Sequence, residues 1–500
     1  MTRNFLYAII PTAKVILLYI RLPKGAIHFS VSEIKTVRCI APFFDAIFKE
    51  EFMNQIQNPM GVKPVLPLLI SMSLPPMVSM LIQSLYNVVD SIFVANLSQD
   101  ALTAVSLAFP LQNIVLAVAV GMGVGINACI ARSLGAQDTK SANQIATHGF
   151  VLTGIHSILF LLFGLFATKP FISMFAKDTS IFSMACQYSY LVICFAFGSL
   201  FHILIEKIFQ ATGNMLVPMV LQGVGAIINI VLDPILIFGL FGFPRLEVIG
   251  AAVATLIGQF AACGLAFLFF FKSNNPVSIT LKGFTFSTQT VSQLYSIAAP
   301  SGMIVALPSA LVGILNVLLT SFSQTAVAVF GVYFKLQTFV YMPVSGIVQG
   351  MRPIMSYNYG AGKLNRMDQT LKSGMGISGI ILAIGWGLFA FFPSTIMQFF
   401  QAEGEMLSMG ITSLQIISCG FVVSTAGVVL AGAFEALGKG YQSLIISLIR
   451  QFIIIPPLAW ALSQPFGIIG IWLSFPIAET VAAIVAIVLY AKTRKNLPTS

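Results

Sequence analysis

The sequence predicts an all-α polytopic membrane protein, with twelve transmembrane helices in two six-helix lobes related by an internal duplication. Three observations predict it. The 500 residues are 57% hydrophobic and 8% charged, with a mean hydropathy of +0.93, whereas soluble domains carry about 25% charged residues. Apolar runs of the ~20 residues that cross a hydrocarbon core recur along the chain. Finally, the chain superposes on itself when slid 225 positions.

This composition excludes a soluble enzyme, a disordered chain and a secreted disulfide scaffold. The 26 Lys and Arg against 16 Asp and Glu give a formal charge of +10. A nucleic-acid binder would gather such bases on one soluble face. Here they sit in short gaps between apolar runs, so they are expected to face anionic lipid. Cys39, Cys129, Cys186, Cys194, Cys263 and Cys419 form no C-x-x-C pair, and His28, His148, His156 and His202 show no ligand spacing. Neither a disulfide framework nor a metalloenzyme is expected, and the cysteines read as packing residues.

The chain opens with an extension, residues 1–62. Its apolar stretch at 5–20 is interrupted by Pro11 and Lys14, is too short to span, and shows no small-residue cleavage pattern. Either the extension lies on the membrane surface or translation starts at Met53 or Met60. The first lobe, residues 63–271, holds apolar runs near 65–95, 101–131, 146–168, 184–206, 215–241 and 248–271. A cytoplasmic linker is expected at 272–293. The second lobe, 294–495, holds runs near 294–321, 325–351, 373–396, 406–434, 440–463 and 466–491, and 496–500 is a tail. Pro75, Pro76, Pro234, Pro300, Pro308, Pro343, Pro456 and Pro457 fall inside these runs, where proline marks kinks.

Orientation follows from the bases, which cytoplasmic loops retain. Arg132, Lys140, Lys207, Lys272, Lys282, Lys363, Arg366 and Lys439 fall in the even-numbered gaps, and Lys492, Arg494 and Lys495 in the tail. The odd-numbered gaps hold only Lys169, Lys177 and Arg245. Both termini are therefore expected in the cytoplasm.

The duplication rests on landmarks that superpose without a gap. Pro75 falls on Pro300, Ser98-Gln99 on Ser323-Gln324, Phe109 on Phe334 and Leu111-Gln112 on Leu336-Gln337. Gly121, Gly125 and Gly135-Ala136 fall on Gly346, Gly350 and Gly360-Ala361, and Phe209-x-Ala211-x-Gly213 on Phe434-x-Ala436-x-Gly438. An even number of spans per repeat makes the repeats parallel, related by an axis along the membrane normal. Transporters use that arrangement, with the site between the halves. Gly121-x-Gly123-x-Gly125 lies mid-helix and reads as a close helix approach, not a phosphate loop. At Gly438-Lys439 the pattern of a P-loop fails, since Ala433 and Gly440 replace the required Gly and Ser or Thr. No ATP site is expected.

Charges within spans are costly and usually face a cavity or a partner. Asp90 lies 27 residues after Lys63 and six before Asn96, and Asp233 nine before Gly242, so the two acids share a depth in one lobe. Asn229 is one turn before Asp233 on the same face. Two carboxylates and an amide oxygen offer hard ligands for a cation such as Na⁺, and a carboxylate pair in a partly dry pocket also exchanges protons. Their counterparts at the 225-residue offset are Leu315, Ile454 and Leu458, so only the first lobe carries such a site. The alternative is that Asp233-Pro234 caps or kinks its helix and Asp90 frays into the outer loop.

In the second lobe Lys335, Arg450 and Glu479 lie within spans. Arg450 and Glu479 either pair with each other or face substrate. With Lys335 and the repeat-related Gln112 and Gln337 they are substrate-cavity candidates. Glu206 and Glu435 neighbour Lys207 and Lys439 near helix ends and read as interface residues.

At Ser84-Leu-Tyr-Asn-Val-Val-Asp-Ser-Ile-Phe-Val94, Ile228-Asn-Ile-Val-Leu-Asp-Pro234 and Gly250-Ala-Ala-Val-Ala-Thr255, the chain resembles a bacterial member of the multidrug and toxic compound extrusion (MATE) family. The resemblance covers about residues 62–495 and departs at the N-terminal extension. It implies a non-enzymatic antiporter in the bacterial plasma (inner) membrane, exporting organic cations or amphiphilic drugs in exchange for H⁺ or Na⁺. The implied protein uses no cofactor or ATP and is a monomer whose partners are drugs and membrane lipid, with no nucleic acid. It also implies that Asp90, Asn229, Asp233 and Thr255 form the cation-coupling site, with Tyr190 as a further cavity candidate. Some members couple through acids of the second lobe, where Glu479 is the only deep acid here. A lipid-linked oligosaccharide flippase is the alternative, but it calls for an Arg-rich cavity, and only Lys335 and Arg450 are deep and basic. A channel or membrane-embedded enzyme finds no filter-like loop and no nucleophile-base set.

Overall fold

The computed structural model describes residues 58–497. Residues 1–57, with the surface-lying and start-site readings that fall on them, lie outside the described residues, as do 498–500. The first half comprises α1 (Val65–Leu97), α2 (Gln99–Gly135), α3 (Thr139–Ser173), α4, α5 (Leu216–Phe238) and α6 (Glu247–Lys272). Helix α4 is bent by 41° between Thr179–Cys194 and Phe197–Thr212. The second half comprises α7 (Thr288–Thr320), α8 (Gln324–Gly360), α9 (Leu364–Phe391), α10, α11 (Gly440–Phe466) and α12 (Ile468–Lys495). Helix α10 is bent by 52° between Gly404–Ser418 and Phe421–Ala436. Among the described residues ten helices are long and apolar enough to cross a membrane, and counting each bent pair as one span brings the number to twelve.

Several helices outrun their apolar runs, because hydropathy registers only the hydrocarbon core while the helix continues into the polar interface. Helix α7 begins at Thr288, six residues before its run, where Ser287 Oγ accepts the Thr290 amide at 3.2 Å. Asp138 caps α3 by accepting from the Ser141 hydroxyl at 2.6 Å and its amide at 2.9 Å, and these bonds hold its carboxyl below the usual carboxylate range. The two bends above 40° fall at 195–196 and 419–420, away from every proline expected to kink a span. Lys207, counted from sequence in a gap, lies inside α4 and is buried, because Glu206 at 2.9 Å and Gln210 at 3.0 Å satisfy its ammonium.

The duplication is visible in backbone detail. Ser98 and Ser323 precede α2 and α8 in the same extended conformation, and each Oγ accepts the amide three residues on at 3.0 Å. The helices end at the equivalent Gly135 and Gly360. The offset changes in two places. A π-helical turn, Ile449–Ile453, interrupts α11, and such a turn carries one extra residue. Beyond it the buried Ile455 and Ala459, in place of Ile454 and Leu458, match the buried Asn229 and Asp233. The connection from α11 to α12 is then shorter than that from α5 to α6. Gly250 and Gly470, each pressed on a carbonyl of the preceding helix (Leu236 and Leu462), restore the register.

The halves meet along α1–α8, α2–α7 and α2–α8, and the duplicated glycines make the contact. A Cβ at Gly121 would meet Ala298 and Gly302, and one at the equivalent Gly346 would meet Met77. Gly125 abuts Leu294 and Ala298, and Gly350 abuts Met72 and Ser73. Gly135 lies on the Tyr357 carbonyl while Gly360 lies on the Arg132 carbonyl, a reciprocal pair across the pseudo-two-fold axis. These contacts all fall toward the end carrying the basic loops. There too Arg366 Nη2 donates to the carbonyls of Met60 (3.2 Å) and Lys63 (2.7 Å), and Lys207 Nζ donates to Gln349 Oε1 (3.5 Å). Residues 273–287 dock on α3, where Asn143 Oδ1, Thr147 Oγ1 and His148 Nε2 accept the amides of Ser278, Thr280 and Ser287. Toward the opposite end α1, α2 and α8 carry exposed side chains, among them Leu85, Phe109 and Phe339.

Candidate cation site in the first half

Glycines set the site's geometry. Gly258 of α6 lies against the Gly225 carbonyl and the Asn229 Cβ of α5, and Gly250 against the Leu236 carbonyl, so α5 and α6 approach to backbone contact. That proximity lets the buried Asn229 bridge two neighbours through one amide group. Its Nδ2 donates to Asp233 Oδ1 at 3.2 Å and to Thr255 Oγ1 at 3.3 Å. Asp233 is fully buried within α5, ahead of Pro234 in a continuous helix, so it does not cap a helix end.

Asp90 reaches this group from α1, and its carboxyl meets that of Asp233 side chain to side chain. Ionised carboxylates are both acceptors, so such a meeting needs a proton or a cation between them. Three buried acceptors, Asp90 Oδ1, Asn229 Oδ1 and Asp233 Oδ2, have no hydrogen-bond partner among the described residues. None of the ion pairs among the described residues involves either acid. Buried polar atoms are normally satisfied. The chemistry left open is that of a small hard cation or a shared proton, held by oxygens alone.

Two tyrosines complete the surroundings. Tyr86 precedes Asp90 by one turn of α1 and interacts with both acids. The buried Tyr188 of α4 also interacts with both, and its hydroxyl accepts from Gln112 Nε2 of α2 at 3.4 Å. Tyr86 was readable from its i, i+4 spacing to Asp90. Tyr188 was not, because choosing between it and Tyr190, about 200° away on the helix, needs the orientation of α4. Tyr190 itself packs in the apolar cluster of α2, α3 and α4 around Leu111 and Phe160.

The second-half candidates are placed apart from these. Arg450 Nε and Glu479 Oε1 pair at 2.9 Å, with the guanidinium 5.8 Å from the Tyr341 ring centre. Gln337 bonds to Tyr341, whose hydroxyl lies 2.6 Å from Ser424 Oγ. Lys335 is exposed on α8. Glu435, expected beside Lys439, instead pairs with Arg352 at 2.7 Å and accepts from Ser301 at 2.8 Å, because the α10 helix turns it inward toward α8 and α7. Among the described residues no cluster of three His, Cys, Asp or Glu side chains could hold a metal, and no cysteines pair.

Twelve helices in two parallel repeats, with a polar group buried inside one bundle, define the architecture of a secondary transporter. The MatE family model matches residues 75–235 and again 300–461, one copy per half, and the chain belongs to the MATE family. It is 28% identical over 445 residues to the multidrug export protein MepA of Staphylococcus aureus, covering 87% of this chain and 95% of that one. It is 25% identical over 423 residues to an FAD transporter of Shewanella oneidensis, covering 84% and 93%. A solved outward-facing multidrug resistance MATE transporter of the MOP superfamily superposes with a TM-score of 0.79 at 26% identity, covering 87% of this chain and 98% of the other.

Proposed function

We propose that the protein is a multidrug efflux antiporter that exports amphiphilic, chiefly cationic, small molecules in exchange for H⁺ or Na⁺. The observation that carries the reading is the group of three buried oxygens on Asp90, Asn229 and Asp233 that have no hydrogen-bond partner and no paired base among the described residues. Taking up a small cation satisfies them, and releasing it leaves two acids in contact. A ligand shifts a conformational equilibrium only through its differential affinity for the two states. A site built across α1, α5 and α6 can have one, because α1 also packs on α8 of the other half. Basic loops are retained in the cytoplasm. On that rule the halves are joined at the cytoplasmic end of the inner membrane, where α1 begins and α12 ends.

The export relatives support the substrate class, and the absence of a nucleotide-binding pattern supports coupling to an ion gradient. A lipid-linked oligosaccharide flippase, or an anionic cargo such as the name of the Shewanella relative implies, calls for free cations in the cavity. Lys207, Arg352 and Arg450 each face a carboxylate, which leaves Lys335 for that role. In a drug-sensitised bacterial strain, the wild-type chain is expected to confer resistance, whereas Asp90→Asn and Asp233→Asn insert normally and confer none. Full resistance from either variant would overturn the reading.

A further inference from the structure

Both halves bridge their fifth and sixth helices with a polar pair, but the chemistry differs. In the first half Asn229 of α5 bonds Thr255 of α6 beside two acids. In the second half Arg450 of α11 bonds Glu479 of α12. Counting from the matched glycines Gly250 and Gly470, Glu479 corresponds to Gln259, one turn beyond Thr255. Arg450 corresponds to Gly225, one turn before Asn229. The second bridge therefore occupies the repeat-related place, displaced one turn toward the basic end. Arg450 stands in the π-helical turn that α5 lacks, and π-turns are frequent at functional sites. The fit around Glu479 resembles a ligand pocket. Its side chain is 9% exposed, and Oε2 has no partner among the described residues, like the nearby hydroxyl of the buried Tyr333. Tyr341 lies under the guanidinium and is itself held by Ser424 and Gln337.

We propose that the Glu479–Tyr341 pocket is a second cation site permanently filled by a tethered ligand, the Arg450 guanidinium, which keeps the second half out of the cation cycle. The first half has two acids that pair with no Lys or Arg among the described residues, so it exchanges a cation, whereas the second has an acid whose cation is covalently held. The ligand class of the emptied pocket follows from its walls. A carboxylate with a free oxygen and an aromatic face suit a guanidinium or small alkylammonium ion, with Na⁺ as a weaker substitute. This assignment builds on the proposed cation coupling in the first half, so its test is made where that site is disabled.

The test is thermal unfolding of detergent-purified Asp90→Asn/Asp233→Asn protein, with and without Arg450→Ala, titrated with methylguanidinium and, separately, NaCl. With Arg450→Ala, methylguanidinium is expected to raise the melting temperature saturably. The parent background, Arg450→Lys, and Arg450→Ala/Glu479→Gln should show no such rise. A folded Arg450→Ala protein indifferent to methylguanidinium would overturn the proposal. So would one that cannot be recovered folded when expressed and purified in its presence, because no free cation would then replace the tether. Loss of the cation response in Asp90→Asn or Asp233→Asn alone bears only on the first-half site, so the two readings fail separately.

Discussion

Replacing either Asp90 or Asp233 with Asn keeps the shape of the side chain and removes one of the two carboxylates that the group offers a cation. A hydrogen bond to a charged group is worth about 1.5–3 kcal/mol, so each substitution is expected to weaken coupling-cation binding by roughly 10- to 150-fold, measured by cation-dependent protection from thermal unfolding. Thr255→Ala removes only the neutral bond from Asn229 at 3.3 Å. A neutral bond is worth about 1 kcal/mol, so the same assay should show a loss below tenfold. Of this group the sequence exposed Asp90, Asn229 and Asp233, because charged and amide side chains inside apolar runs are conspicuous and the i, i+4 spacing sets their face. It did not expose Tyr188, whose phenol differs from its neighbour's only by helix orientation. Nor did it reveal the partner of Glu435, because Arg352 lies 83 residues away and only tertiary packing joins them. That buried pair makes a separate prediction. Glu435→Gln strands Arg352, and breaking a buried pair costs about 3–5 kcal/mol, which should appear as a marked fall in melting temperature with cation binding retained.

At the scale of elements, the approach of α5 to α6 is what lets an Asn on one helix reach a Thr on the next. Gly258 is pressed on the Gly225 carbonyl and the Asn229 Cβ, so Gly258→Ala must part the helices. Overpacking of this kind typically costs about 1–3 kcal/mol. The variant should fold less stably and bind the coupling cation more weakly, and unchanged binding would mean that the glycine contact does not set the site. Hydropathy located all twelve spans but placed their ends short, as at Thr288, because it responds to the hydrocarbon core and not to helix caps. It gave no sign of the 41° and 52° bends in α4 and α10, whose breaks at 195–196 and 419–420 contain no proline. The π-turn was hidden for a related reason. One inserted residue in an apolar run leaves no trace in composition, and a constant offset passes over it, so Ile454 and Leu458 were matched where Ile455 and Ala459 belong.

For the whole molecule, the duplication was legible as an offset, but its use was not. The glycines that superpose, Gly121 with Gly346, Gly125 with Gly350 and Gly135 with Gly360, are the surfaces by which the halves touch. Their reciprocity across the axis makes them sensors of the closed basic end. An added methyl at Gly135 or Gly360 would fall on the opposing carbonyl. A bias of about 1–3 kcal/mol against one of two states changes their ratio by ~5- to ~150-fold. Gly135→Ala and Gly360→Ala are therefore expected to shift the population away from the conformer described here. Distances between spin labels on the α2–α3 and α8–α9 loops would report it as a longer component, and an unchanged distribution would argue against these contacts as the closure.

The central claim is that two acids within the first six-helix bundle take up and release the ion that drives export. Its most direct test is dye efflux by the purified protein in proteoliposomes under an imposed Na⁺ gradient and, in separate vesicles, an imposed pH gradient. The account predicts that one of the two gradients drives efflux by the wild-type chain and that Asp90→Asn and Asp233→Asn abolish the driven component. Gradient-driven efflux at the wild-type rate in both variants would contradict it.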